Sequence, residues 1–465
     1  MQYKSESAEM LLPLIKQSQI MSQKYDVVVT NPPYLGSSRF DAKLSEYANL
    51  YYKDEKADMA TIMLKRMTDG FARQNGFIAA ITTVSWMFIS SFQKFRKAFL
   101  ATVDFVNLVD FGTELFEGKI GHLPVASWVN RKTNISPNAR AIRLVDFCFS
   151  RRNEKEPQFF NEENYHVFNA RDFEIIPSSP IAYWIGKNAV EAFKKGISID
   201  SISDYTGSQN KTAGNDKYIR LSWEVEKSKM GPGKKWIVYA KGGDYRKHYG
   251  NVTSVIDWSE PARSFYETNP TSNLLGERYW YQEGITYTML TTRGANFRYM
   301  PGVGAFDMGG PEICRLGENL YYVLAFLNSK ITQMYLSLLN PTINLQAKDV
   351  KSLPLIIDQT KFKEISDLEE ENVAISKADW DSFETSWGFE RHPLINGCNR
   401  LSDAFALWAD TCKNRFERLH HNEERINSLF IEIYGLEDEM TPSVEERDHC
   451  SLPKLRMSYS SYTSS

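Results

Sequence analysis

The sequence predicts an α/β fold on three observations. Short β-branched or apolar runs alternate with helical periodicities over the first 130 residues, a Pro-Pro pair ends the first run abruptly, and the composition is that of an ordinary globular chain. With 465 residues, 42% of them apolar and 24% charged, the chain is not disordered, collagen-like or a disulfide scaffold, and its length suits two or three domains. No run approaches the roughly 18 apolar residues of a membrane span. The start, Met1 to Glu6, lacks the basic-then-apolar pattern of a signal peptide, so the expected location is the cytoplasm.

Tyr25 to Val29 reads as a buried strand, because three consecutive valines lead into a loop that Pro32 and Pro33 force to turn. From Lys56 to Gln74, Ala60, Met63, Leu64, Met67 and Phe71 recur at helical spacing, and the apolar run Phe77 to Ile81 follows Gly76 as a second strand. A helix over Ser91 to Leu100, a strand over Phe105 to Phe111 and another over Val125 to Val129 continue the alternation. Strand, helix, strand, helix, strand implies a parallel, doubly wound sheet that binds ligands at the carboxyl ends of its strands. A connector is expected next. From 205 to 355, glycine and aromatic residues become frequent and short strands are expected, with a helix over Leu320 to Leu339 stopped by Asn340-Pro341. Leu401 to Tyr434 reads as a helix ended by Gly435.

The net charge of −3 conceals a gradient. Residues 1–204 carry +2, 205–355 carry +5 and 356–465 carry −10, so a local polyanion site is compatible with a near-neutral chain. Five scattered cysteines without a CxxC pair, and seven histidines without metal spacing, suggest neither a disulfide framework nor a metal site.

The sharpest motif is Asn31-Pro32-Pro33-Tyr34, directly after the first strand. Two prolines fix φ and remove two amide donors, giving a rigid turn of acceptors. The amine of a nucleobase is a poor nucleophile because its lone pair is delocalised into the ring. The Asn31 side-chain oxygen and the Pro32 carbonyl can accept its two hydrogens and draw nitrogen toward tetrahedral geometry, freeing the lone pair. An aromatic ring at Tyr34 can stack on an extruded base, offsetting unstacking by roughly 1–3 kcal/mol. As a bare turn, such a tetrapeptide arises about once in 50 chains of this length.

Tyr25-Asp26-Val27-Val28-Val29-Thr30-Asn31-Pro32-Pro33-Tyr34 resembles the catalytic motif of amino-group DNA methyltransferases. It is most similar to the adenine-N6 methyltransferases of the PglX type in BREX phage defence and to their type IIG restriction-modification relatives. Lys56-Ala57-Asp58-Met59 resembles the family's next motif, although Asp58 also reads as a helix cap. Asn75 to Phe95-Arg96 resembles the segment completing the target-base pocket, where Trp86 or Phe88 is either a second wall for the base or a core aromatic. Leu336 to Leu355, with Asn340 to Asn344, resembles the end of a target-recognition domain, followed by family-like segments at Trp380 to Pro393 and Ile431 to Glu439. The resemblance implies a partial Rossmann-like methyltransferase domain, then a mixed α/β target-recognition domain and a helical C-terminal region. The implied boundaries are 1–140 for the C-terminal half of the catalytic domain, 141–204 for the connector, 205–358 for target recognition, 359–441 for the helical region and 442–465 for an irregular tail.

The resemblance also implies S-adenosylmethionine as methyl donor and double-stranded DNA as partner. Its glycine-rich cofactor turn should precede the tetrapeptide, but the 24 residues before Tyr25 hold no glycine. The cofactor-binding residues therefore stay unassigned, and a separate polypeptide carrying that half, or other defence proteins, is an expected partner. A basic run holding Lys234, Lys235, Trp236, Lys241, Arg246 and Lys247 lies within the implied recognition segment and is the expected DNA-binding surface. No Pro-Asp dipeptide is present, so the nuclease signature Pro-Asp…(Asp/Glu)-x-Lys is missing. Two readings compete with methyl transfer: a non-catalytic DNA-binding or specificity remnant, and an unrelated α/β scaffold whose Asn-Pro-Pro-Tyr is only a turn.

Overall fold

A computed structural model describes residues 2–133, 135, 138–206, 208–290, 293–307, 309–340 and 345–445. The chain forms two compact units, residues 1–190 and 191–465. No helix among the described residues is long and apolar enough to cross a membrane.

The first unit is built on a six-stranded sheet. Helix α1 (Gln2–Ser22) precedes β1 (Tyr25–Thr30), which pairs in parallel with β2 (Ala72–Thr83) in the register Val28↔Ile78 and Thr30↔Ala80. Between them lie α2 (Ala42–Tyr51), capped by the Asp41 carboxylate accepting from Leu44 N, and α3 (Met59–Arg66), capped likewise by Asp58. The helix expected to reach Gln74 instead gives way to a π-turn over Met67–Phe71, and β2 begins at Ala72. The i, i+4 spacing of Met67 and Phe71 suits that turn as well as a helix, so periodicity alone could not find the break.

β3 (Asp104–Gly112), β4 (Val125–Arg131), β5 (Ala139–Arg143) and β6 (Tyr165–Phe168) complete the sheet in the order β1-β2-β4-β3-β5-β6. The expectation of an all-parallel sheet is corrected: β4 lies antiparallel between β2 and β3. The link from Thr113 to Pro124 carries one 3₁₀ turn rather than a crossover helix, and so it returns the chain in the opposite direction. β1, expected to be buried, is an edge strand whose Val27 and Val29 are 58% and 69% exposed. The segment expected as a connector supplies most of β5 and all of β6.

The core of this unit is aromatic. Trp86 meets Phe95, Phe99 and Trp128 edge-on at 5.6–5.9 Å, each such pair adding about 1 kcal/mol beyond burial. Beside it lies Arg96, fully buried. Its guanidinium donates to the carbonyls of Trp86 (2.6 Å), Ile89 (2.7 Å), Ser178 (2.6 Å) and Ser179 (3.1 Å). Burial lowers its pKa to about 10. Ser178 and Ser179 hold left-handed φ values of +66° and +49°, a backbone cost that these charge-assisted bonds offset.

The second unit holds two four-stranded sheets. One orders the strands Gly304–Phe306, Trp236–Ala240, Ser254–Asp257 and Ile219–Leu221; the other orders Phe297–Met300, Gly284–Tyr287, Glu312–Cys314 and Asp204–Tyr205. Long helices follow. The helix expected over Leu320 to Leu339 is two, Leu320–Asn328 and Lys330–Leu339, because Ser329 turns extended and its hydroxyl caps the second by accepting from Thr332 N. Pro341 to Asn344 lie outside the described residues. Helix Leu401–Tyr434 ends at Gly435 with φ +64°, the left-handed stop that the sequence predicts.

A buried charge cluster joins strands to helices in this unit. His248, bonded through its backbone to Phe297 and Tyr299, places Nδ1 2.7 Å from Glu369 Oε1 and Nε2 2.9 Å from Glu423 Oε1. Lys247 Nζ lies 3.4 Å from the same Glu423 oxygen, and Arg246 lies 3.6 Å from Asp379 with its guanidinium 4.7 Å above the Trp380 ring. Burial alone would lower the imidazole pKa, but the charge and hydrogen bond of Glu369, then those of Glu423, outweigh it and hold the ring protonated to about pH 9.

Two expectations follow. The His248 imidazolium contributes fully to stability below its unfolded pKa of about 6.5 and loses that contribution as pH rises through about 9. His248→Gln should therefore cost about 3–5 kcal/mol in urea unfolding at neutral pH, with the gap to wild type narrowing above pH 9. A pH-independent gap would refute the clamp. Arg96→Ala should destabilise the first unit by about 3 kcal/mol in the same measurement, since four carbonyls lose a charged donor. A loss below about 0.5 kcal/mol, the range of an ordinary surface substitution, would show the bracket to be dispensable.

Candidate active site

The tetrapeptide is held from two sides. Parallel pairing ends at Thr30↔Ala80, which brings the chain out of β1 beside the carboxyl end of β2. There the Tyr34 hydroxyl donates to the Ile81 carbonyl at 3.4 Å, and Leu35 N closes the turn on Pro33 O at 3.1 Å. Pro32 is buried, Tyr34 is half-buried and Asn31 is exposed. Burial raises the Tyr34 phenol, so the ring is neutral at physiological pH.

On the other side, Met59 N donates to Leu35 O at 2.9 Å and Ser37 N to Ala57 O at 3.0 Å, with Gly36 bridged to Asp58. Asp58 is the helix cap that the sequence suggested, its carboxylate accepting from Ala60 N at 2.8 Å, and burial raises its pKa. Thr61 Oγ1 reaches the carbonyls of Glu55 and Asp58 at 2.6 and 2.7 Å. Between these anchors the Asn31 side chain forms no hydrogen bond among the described residues, which leaves its carbonyl oxygen able to accept from a substrate.

The two aromatics offered as a second wall are core residues. Trp86 is 1% exposed, with its indole N–H 2.9 Å from Thr82 Oγ1, and Phe88 is 8% exposed against Trp184 at 5.4 Å. Neither presents a face to a base. Arg96 ties down the backbone of the same turn through the carbonyls of Trp86 and Ile89.

The basic run of the second unit divides by burial. Arg246 and Lys247 are 9% and 7% exposed and ion-paired to Asp379 and Glu423, so they are structural and not phosphate contacts as expected. Lys241 pairs with Asp307 at 3.3 Å, and exposed Lys235 with Asp257 at 3.5 Å. Lys234 is exposed, and Trp236 is half-buried where it opens a strand. Sequence spacing could not separate these fates, because the acidic partners lie from 22 to 176 positions away.

Sequence reasoning passed over a cleft of about 450 Å³ whose wall includes Ser37, three residues after Tyr34. It is lined by Ser37, Asn49, Lys53, Asp54, Lys56 and Ser91, and Lys94 lies along its outer part. Its lysines come from segments some 40 positions apart, which no local pattern reveals. As a donor set it is net cationic. S-adenosylmethionine, which the resemblance implies, carries a sulfonium cation and a ribose that calls for a carboxylate partner, so these residues do not fit it.

Residues 4–116 match the family model of the Eco57I restriction-modification methylase. The chain is 32% identical over 95% of its length to the adenine-specific methyltransferase BrxX of Escherichia coli O9:H4 strain HS. It is 30% identical over 97% of its length to the adenine-specific methyltransferase PglX of Lacticaseibacillus casei strain Zhang. Among solved structures, the type IIL restriction-modification enzyme MmeI in complex with DNA aligns with 90% of this chain and 55% of its own, at 9% identity and a TM-score of 0.49. The chain spans 36% and 40% of the length of the two curated relatives. In sequence, nearly the whole chain is similar to parts of two adenine-specific methyltransferases, BrxX and PglX.

Proposed function

We propose that this chain supplies the target-base side of a site-specific DNA adenine-N6 methyltransferase acting in phage defence or restriction-modification. The observation that carries the reading is the rigid, doubly anchored Asn31–Tyr34 turn at the carboxyl end of β1, in a chain whose relatives are named adenine-specific methyltransferases.

In this reading an adenine is extruded from the duplex, at a cost of a few kcal/mol, and stacks on Tyr34. The Asn31 side-chain oxygen and the Pro32 carbonyl accept the two amine hydrogens, localising the nitrogen lone pair, while Pro33 holds the turn. Lys234, Lys235, Trp236 and Lys241 are outer contacts to DNA. The methyl donor, S-adenosylmethionine by family, binds on a further α/β segment. The free edge of β1, with Val27 and Val29 exposed, suits the addition of another parallel strand there, and the curated relatives are more than twice as long as this chain.

Labelled methyl incorporation into duplex DNA tests this, with the chain alone and with a polypeptide carrying the glycine-rich half. Transfer is expected only in the second case. Asn31→Ala should lower it about a hundredfold to a thousandfold, as loss of one preorganised polar group does. Tyr34→Ala should lower it about tenfold to a hundredfold, and Tyr34→Phe should stay near wild type, because its hydroxyl makes only the 3.4 Å contact. Undiminished transfer by Asn31→Ala would overturn the reading. The second reading, a non-catalytic DNA-binding remnant, draws on the cationic donor set of the cleft and predicts salt-dependent DNA binding without transfer in any combination.

A further inference from the structure

The cleft that starts at Ser37 faces solvent and has no part in the methyl-transfer reading above. Ser37 and Ala57 form part of its wall, and the bond from Ser37 N to Ala57 O ties that wall to the chain three residues after Tyr34. Lys53, Lys56 and Lys94 are all exposed, and none is ion-paired among the described residues. Lys56 donates to the neutral Asn49 side chain at 2.7 Å and so keeps its charge uncompensated. Asp54 is the one carboxylate in the lining, so the cleft carries a net charge of about +2. Ser91 and Lys94 sit at the amino-terminal end of helix Gln93–Leu100, where the helix dipole adds to the positive potential.

Three lysines without an ion pair share the cleft with one carboxylate, which leaves an excess of positive charge there. A phosphodiester oxygen placed between them offsets that excess and releases counterions. The Ser37 wall lies three residues from Tyr34 and is tied to Ala57 backbone to backbone.

We propose that this cleft grips a backbone phosphate of the target strand next to the extruded base, through Lys53, Lys56 and Lys94 with the Ser91 hydroxyl donating. The inference rests on the base-side reading above. It adds a positioning site: with the phosphate fixed, rotation of the nucleotide out of the stack carries the base to Tyr34 rather than into solvent.

The test is binding, read without any methyl transfer. Anisotropy titrations of the full chain with a short mixed-sequence duplex, over a series of salt concentrations, should show Lys53→Ala with Lys94→Ala binding about tenfold more weakly at low salt. Its slope of log affinity against log salt should be shallower by roughly one for each lysine removed. Lys53→Arg with Lys94→Arg should retain binding, which separates lost charge from lost folding. Acetylation footprinting by mass spectrometry should show Lys53, Lys56 and Lys94 protected when DNA is added. Equal modification with and without DNA, an unchanged salt slope in the double alanine variant, or no retention of DNA by the wild-type chain at low salt would each overturn the cleft. Protection of the three lysines in a chain that transfers no methyl group with any complementing half would uphold the cleft and sink the methyl-transfer reading instead.

Discussion

The parallel pairing of β1 with β2 is the constraint on which the first unit depends. It determines that the chain leaves β1 beside the carboxyl end of β2, and a one-residue slip would exchange the two faces of β1 and move Tyr34 away from Ile81. Once that register is set, two prolines remove most of the freedom of the exit, and the bridge from Gly36 to Asp58 removes much of what is left. Asn31 is therefore presented by covalent stiffness and by backbone bonds, not by side-chain packing. Such an arrangement tolerates an exposed, hydrogen-bond-hungry group that a flexible loop would fold back onto itself.

Charge in the second unit obeys a different rule. The +5 of residues 205–355 and the −10 of residues 356–465 look like separate surfaces when summed along the chain, yet part of each sum is spent inside the protein. Arg246, Lys247 and His248 meet Asp379, Glu369 and Glu423 where water is excluded. Breaking one member of such a set costs more than the set contributes, because the remaining charge is stranded. The cluster fixes how the strand bearing Phe297 and Tyr299 meets helices Phe362–Trp380 and Leu401–Tyr434 more than it stabilises them, and His248, held at φ +65°, is the residue that serves both helices.

How much of this was legible in the sequence varied with the range of the forces involved. β1, its abrupt stop, the Asp58 cap and the Gly435 terminus are local consequences of residue chemistry, and they stand where the residues put them. The antiparallel insertion of β4 is a matter of which strands find each other, and an apolar run such as Val125 to Val129 reads the same in either direction. Trp86 and Phe88 were ambiguous because burial is a property of the assembled unit: Trp86 packs on Phe95, Phe99 and Trp128 and Phe88 on Trp184, partners up to nearly a hundred positions away. The ion pairs of Arg246 and Lys247 span more than a hundred positions, beyond any pattern visible along the chain.

These differences bear on how base and backbone recognition divide within the first unit. The tetrapeptide offers acceptors and an aromatic face, a neutral surface suited to a base, whereas the adjacent cleft offers cations suited to phosphate. In the proposed reading, lysines within the turn itself would disfavour the positive charge that an attacking amine nitrogen develops. Were the cleft lysines absent, unstacking of a few kcal/mol would fall on Tyr34 alone, whose stacking returns about 1–3 kcal/mol and so leaves little margin. Each contact of the Lys type contributes through counterion release, independent of base identity. In the proposed reading, a cleft whose wall starts at Ser37, three residues after Tyr34, lets a sequence-blind grip support a base-specific turn without placing positive charge at the reacting nitrogen.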